Sequence, residues 1–254
     1  MSFPVLISIP HGGDQTPPEL VGRVVISRHA MLADSDIFTR EIYSLEDEAA
    51  VVLDTPIARV FVDLNRAPAD LPPANPDGVI KRLSCHGVQI YRDEVWNDQM
   101  LVSTLLEKYY YPYHRKIQAV LHSRQDLVLM LDCHSMEAVG PVIGPDHGAA
   151  RPALCLGSRH GNSCSHATVS RLAAAMRRAF GLKENQVAID QPFAGGYITR
   201  QYGHNPLPCI QIEMNRALYL EAGCREEDGD VPFNSDKTTL LRQQFRHALE
   251  LFFA

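Results

Sequence analysis

The sequence has 254 residues, 45% of them hydrophobic and 21% charged, the balance of an ordinary globular protein long enough to bury one large core. A formal charge of −6 with no Lys/Arg block argues against a nucleic-acid partner, and no apolar run approaches the roughly 20 residues of a membrane-spanning helix. The six cysteines form no C-x-x-C pair, which disfavours a cysteine zinc site and fits reduced, buried thiols in a cytoplasmic protein. The N-terminus also lacks the basic region and apolar run of a signal peptide. A single domain spanning residues 1–254 is expected, as a monomer or small homo-oligomer.

The apolar run at residues 4–9 reads as a first strand, and it feeds into Pro10-His11-Gly12-Gly13-Asp14. Two glycines permit a tight reversal there, so the turn can aim an imidazole and a carboxylate at one point. Residues 30–49 carry Met31, Ile37, Phe38, Ile42 and Leu45 on one helical face, with Asp34 and Asp36 read as charges favoured near a helix start. Val51-Val52-Leu53 is a short strand. Val60 to Arg66 reads as another, in which period two sends Asp63 and Asn65 one way and Arg66 the other unless the chain turns. Residues 67–79, with four prolines, are a loop. Residues 97–123 are helical, interrupted or kinked at Pro112, with His114 packed or capping.

Leu127 to Leu131 is apolar on both faces, as in the centre of a parallel sheet, and it ends in Asp132-Cys133-His134-Ser135. Ligands of α/β sheets bind beyond the carboxyl ends of strands, so polar residues at that place carry weight. A strand at 153–156, a loop at 157–164, a helix at 166–180 stopped by Gly181 and a strand at 187–189 follow. Residues 192–200 form a glycine-rich loop without the dinucleotide fingerprint. Along 209–216, Ile210, Ile212 and Met214 face one side and Gln211, Glu213 and Asn215 the other; a last helix runs from 236 to 252. Alternating strands and helices predict an α/β three-layer sandwich around a mixed, largely parallel sheet.

Two histidines and a carboxylate make a catalytic zinc set with a fourth position open to water. The residues at strand ends assign His11, Asp14 and His134 as ligands to Zn²⁺, or to another divalent metal, with Asp132 orienting a ligand histidine. Glu213 is then the general base, and Asn65, Arg66 and Arg200 hold an anionic substrate, one arginine also serving the oxyanion. Each assignment has a competitor. His134 as a core histidine on Asp132, Glu213 in a salt bridge with Arg216 or Arg66, and Asp63 as a turn cap or the group that positions Arg66 are equally open to the residues themselves.

In order along the chain, I-P-H-G-G-D, V-D-L-N-R, P-Y-H, L-D-C-H-S-M, G-N-S-C, G-G-Y-I-T-R and Q-I-E-M-N-R resemble the N-formylglutamate amidohydrolase family over roughly residues 5–218. That family is in turn similar to the zinc carboxypeptidases and aspartoacylases. The resemblance implies a zinc-carboxypeptidase-like (phosphorylase/hydrolase-like) fold and hydrolysis of N-formyl-L-glutamate or a similar N-acyl amino acid. It also implies zinc on His11, Asp14 and His134, substrate on Asn65 and Arg66, and catalysis by Glu213. Two departures stand out: Asp14 where the wider group has Glu, and the segment from Lys81 to Tyr91. The rival readings are a nucleophilic amidase built on Cys133 or Ser163 and a non-catalytic protein that binds an anionic amino acid.

Overall fold

Three central strands share one pattern: apolar at the start and, on one face, polar at the carboxyl end. In β1 (Phe3–Ile9) that face runs from Leu6 to Ser8, in β3 (Leu129–Met136) from Met130 to Asp132 and His134, and in β6 (Cys209–Asn215) from Cys209 to Gln211 and Glu213. The computed structural model describes residues 2–141, 146–220 and 233–254. In it the three strands are parallel neighbours, so their polar ends coincide. With β2 (Ala49–Asp54), β4 (Leu154–Gly157) and β5 (Val187–Ile189) they form a six-stranded sheet in the order β2-β1-β3-β6-β4-β5. β4 runs antiparallel to β6 and parallel to β5, which makes the sheet mixed but largely parallel.

Helices α2 (Thr39–Tyr43), α5 (His166–Ala179) and α7 (Ser235–Phe253) cover one face, where Ile7, Leu131, Ile210 and Ile212 meet Val169, Leu172 and Phe245. The other face packs Leu6, Met130 and Cys209 against α3 (Gln99–Leu105), α4 (Tyr111–Ser123) and α6 (Tyr197–Tyr202) through Val102, Tyr113, Ile117 and Ile198. This is the expected three-layer architecture.

Several local expectations change. The helix foreseen over 30–49 breaks into α1 (Arg28–Asp34) and α2, because Ser35 to Phe38 leave the helical path: Asp36 N donates to His11 O at 3.0 Å and Phe38 takes a left-handed φ of 63°. The break carries the Asp36 carboxylate into the protein instead of leaving it at a helix start. Residues 60–66 are not a strand. They form a turn buried from Val60 to Leu64, with Phe61 N on Ala58 O and Asp63 N on Val79 O, so Asp63, Asn65 and Arg66 reach one cavity together instead of alternating. β3 continues through the polar residues to Met136, since β6 pairs with them as far as Asn215. The glycine-rich loop ends early, at α6.

The helix over 97–123 runs through Pro112 by inserting a π-helical turn at Leu106–Tyr110. Proline has no N–H to donate to the preceding turn, and a widened turn accommodates that loss. The turn also aims Tyr110 Oη at Arg66 O (2.8 Å), and one turn later His114 uses both ring nitrogens. Its Nε2 donates to Leu64 O at 3.0 Å and its Nδ1 accepts from Tyr202 Oη at 2.8 Å. α4 therefore clamps the turn that carries Asp63 to Arg66.

Burial pushes His114 down to about 4. A base whose folded pKa is depressed contributes stability that is present above its ordinary value of 6.5 and lost as pH falls toward 4. The full loss is on the order of 3 kcal/mol. Urea midpoints between pH 7.5 and 4.5 are expected to fall more steeply in the parent than in His114→Gln; equal slopes would refute the assignment.

Candidate metal centre and active site

His11 follows β1 and His134 lies near the end of β3. Their Nδ1 atoms approach to 3.1 Å, and the Asp36 Oδ2 atom stands 2.9 Å from His134 Nδ1 and 3.3 Å from His11 Nδ1. All three residues are buried. Two nitrogen lone pairs and one carboxylate oxygen facing one another are the donor set of a metal ion. A tetrahedral zinc with bonds of about 2.0–2.1 Å has donor–donor edges of about 3.3 Å, close to these separations. The outward nitrogens are also provided for. His11 Nε2 donates to Asp63 Oδ1 at 2.7 Å, and His134 Nε2 lies 3.2 Å from Asp132 Oδ2. The Asp63 carboxylate holds the His11 proton on Nε2 and leaves Nδ1 free for an ion, while Asp132 stands behind His134 at ion-pair distance.

The charge balance points the same way. Burial works against the Asp36 and Asp63 carboxylates, yet the histidines beside Asp36, and His11, Arg59 and Lys81 beside Asp63, hold both well below the usual range. Burial likewise disfavours charge on His134, but Asp132, Asp36 and Glu213 pull its pKa well above normal. The two histidines and one carboxylate fit a divalent metal.

Glu213 lies directly across from His134 in the β3–β6 register and is only 6% exposed. Its carboxylate makes no ion pair among the described residues; its hydrogen-bond partner is Gln211 Nε2 at 2.8 Å. Burial first, with Asp36 and Asp132 adding to it and His134 and Arg59 opposing, pushes Glu213 up to about 8. The competing salt bridges to Arg216 and Arg66 do not form. Arg216 instead donates to Ser135 Oγ, Ala33 O and Asp36 Oδ1, and Arg66 Nη2 donates to Asp77.

His11, Asp36, His134, Glu213, Asn65 and Arg66 all line one cavity of about 460 Å³. Two residues expected there are elsewhere. Asp14 has a side chain 47% exposed and pairs with Arg28 at 3.1 Å, in a separate hollow. The turn after His11 bends away from the metal centre: Gly13 presses on the backbone of Pro56 and Ile57, and Asp14 N bonds to Pro56 O. Asp36 fills the place given to Asp14. Arg200 is exposed on α6, its guanidinium over the Tyr197 ring.

The arginines that do line the cavity include Arg59, Arg66, Arg151 and Arg216. Arg59 donates to Asp63 Oδ2 at 3.0 Å, while its buried Nε and that of Arg66 have no hydrogen-bond partner among the described residues. Lys81 is fully buried between Asp34 (3.0 Å) and Asp77 (2.7 Å), and Cys85 N donates to Asp34. Of the segment that departs from the family pattern, Cys85 lines the cavity and His86 pairs at 3.0 Å with Glu137, another lining residue. Asp63 approaches His11 more closely than it does Arg66, whose Nε is 3.8 Å away. Asp36, Arg59 and Arg216 were missed as site residues. A signal for Asp36 existed: the apolar stripe skips from Met31 to Ile37, too far for one helical turn.

The family model for N-formylglutamate amidohydrolase matches residues 3–220. The chain belongs to the N-formylglutamate amidohydrolase family. Membership makes it a hydrolase of an amide bond. A solved N-formylglutamate amidohydrolase from Ralstonia eutropha JMP134 shares the fold, with a TM-score of 0.79 at 21% identity over 99% of this chain and 94% of that one. A gene product of Agrobacterium tumefaciens shares it at a TM-score of 0.63 and 16% identity, over 98% of this chain and 88% of that one. No curated protein matches the chain. Among the described residues, no helix is long and apolar enough to cross a membrane.

The thiol and hydroxyl of the nucleophile reading lie away from the cavity. Cys133 is fully buried on the opposite face of the sheet, where burial raises its thiol well above normal, and Ser163 is fully buried as well. Five described cysteines are free thiols, four of them buried; Cys224 lies outside the described residues.

Proposed function

We propose that this member of the family hydrolyses the amide of an N-formyl, or other short N-acyl, amino acid. N-formyl-L-glutamate or a similar acidic substrate is the leading choice, with formate and the free amino acid as products. The observation that carries this reading is the convergence of His11, His134 and Asp36 beside a buried carboxylate, Glu213, that has no ion pair among the described residues. His11 Nδ1, His134 Nδ1 and Asp36 Oδ2 would hold the metal, with zinc favoured by the two-histidine, one-carboxylate set. When bound there, such an ion supplies Lewis acidity and makes water a better nucleophile at neutral pH.

The chain's own groups do the rest. Glu213 accepts a proton as the water oxygen bonds to the acyl carbon, and delivers it to the amide nitrogen as the C–N bond breaks. Burial raises the pKa of Glu213, which suits the delivery step, and a cation on the neighbouring ligands would lower it toward the range in which the carboxylate accepts the proton. Arg66, whose Nε has no hydrogen-bond partner among the described residues, binds the substrate carboxylate, and the Asn65 amide N–H group serves the substrate carbonyl. The cavity volume suits a small molecule.

Formate release from a panel of N-formyl amino acids tests the proposal. Turnover of N-formyl-L-glutamate or N-formyl-L-aspartate, abolished by a chelator and restored by zinc, is expected. Turnover that resists chelation but is lost on thiol alkylation would return the nucleophile reading; binding with no formate over hours would support a non-catalytic role.

A further inference from the structure

Gln211 is buried on β6, two residues before Glu213 and on the same face of the strand. Its carboxamide is used at both ends. Nε2 donates to Glu213 Oε1 at 2.8 Å, and Oε1 accepts from Gly196 N at 2.7 Å. A backbone N–H can only donate, so the Gly196 contact fixes which end of the amide is oxygen. The NH₂ end must then point at Glu213.

Gly196 is itself held on its other side. A Cβ there would sit 2.3 Å from the Asn65 side chain, so only glycine lets the loop come this close. Asn65 Oδ1 accepts from Ile198 N at 2.7 Å, and Asn65 Nδ2 lies 3.2 Å from the His134 ring. Asn65 and Gln211 thus grip the 196–198 backbone from its two sides. One carboxamide holds the glycine loop that lines the cavity, and the other ties that loop to the proposed base.

We infer that Gln211 is a positioning residue for the hydrolysis: its amide holds one oxygen of Glu213 in place and ties that carboxylate to the Gly195–Gly196 wall of the substrate cavity. The inference rests on the proposed role of Glu213. Fixing Oε1 leaves Oε2 as the oxygen that meets the water and the leaving nitrogen. The hydrogen bond also removes rotameric freedom from a carboxylate that no ion pair holds among the described residues.

Two variants separate orientation of Glu213 from anchoring of the loop. Gln211→Glu keeps an acceptor for Gly196 N but presents a carboxylate oxygen to Glu213. Gln211→Met keeps the length of the side chain and loses both bonds. If Gln211 orients Glu213, each variant loses about 10- to 100-fold in kcat for formate release, with KM changed less than threefold and metal content at the parent level. If it only anchors the loop, Gln211→Glu keeps the parent kcat, Gln211→Met changes KM, and the inference is overturned.

Glu213→Gln, assayed alongside, tells the two failures apart. A fully active, metal-replete Glu213→Gln sinks the role of Glu213. An inactive Glu213→Gln beside fully active Gln211 variants sinks only the positioning role. In the double variant Gln211→Met/Glu213→Gln, no loss beyond that of Glu213→Gln is expected, since Gln211 then has no base to position.

Discussion

Glu213→Gln is expected to lower kcat for formate release by 10²-fold or more, within the range that positioned general acid–base groups contribute, while leaving the bound metal in place. The substitution conserves volume and can still accept from Gln211 Nε2 through its amide oxygen. What it removes is the capacity to take up a proton. That loss is expected to be large, because the carboxylate has no ion pair among the described residues and burial raises its pKa. A structural carboxylate in a core is normally paired, since an unpaired buried charge is costly. Among the described residues this one has no ion pair and stands directly across from His134, a setting that suits a group whose proton is used. Steady-state formate release, with metal content measured by mass spectrometry on the same preparation, decides the matter. A Glu213→Gln protein with full metal and full turnover would remove Glu213 from the mechanism.

His134 and Glu213 were legible because strand periodicity is a local property. Asp132 and His134, like Gln211 and Glu213, lie two residues apart on strands whose apolar halves are plain in the sequence, and parallel pairing then brings their polar ends together. The sheet, α5 with its Gly181 stop and α7 were readable for the same reason. The segments that failed are those whose backbone follows tertiary demand. Residues 60–66 have a strand's composition, but Phe61, Val62 and Leu64 are apolar because they are buried in a turn, and burial alone does not distinguish the two. Residues 35–38 leave the helix because Asp36 has four partners elsewhere in the chain: His11, His134, Arg216 and, at 4.0 Å, Arg59. None of these is within helical reach. Arg200 failed differently, since a glycine-rich loop with one arginine reads as an anion site until α6 turns that arginine outward.

Asp14 and Asp36 are separable by one measurement, and this result carries more weight for the metal centre than any other. Both are acidic residues near His11, one three positions along the chain and the other brought in by the break between α1 and α2. Asp36→Asn keeps the volume and one hydrogen-bond acceptor but weakens the ligand. It is expected to reduce bound metal from near one equivalent to a small fraction, and to abolish formate release. Asp14→Asn removes only an exposed pair with Arg28, and it is expected to bind metal as the parent does. Asp36→Ala would be a harsher test with a side effect. Arg216 donates to Asp36 Oδ1 and is buried, so losing the carboxylate leaves a cation poorly compensated, a change worth about 3–5 kcal/mol in stability. Thermal melting of each variant therefore belongs beside metal analysis, and the asparagine variant is the one to interpret. Metal lost from Asp14→Asn and kept by Asp36→Asn would restore the H-G-G-D turn as the ligand pair. It would also require the turn to swing its carboxylate inward, past Pro56 and Ile57, against which Gly13 is now packed.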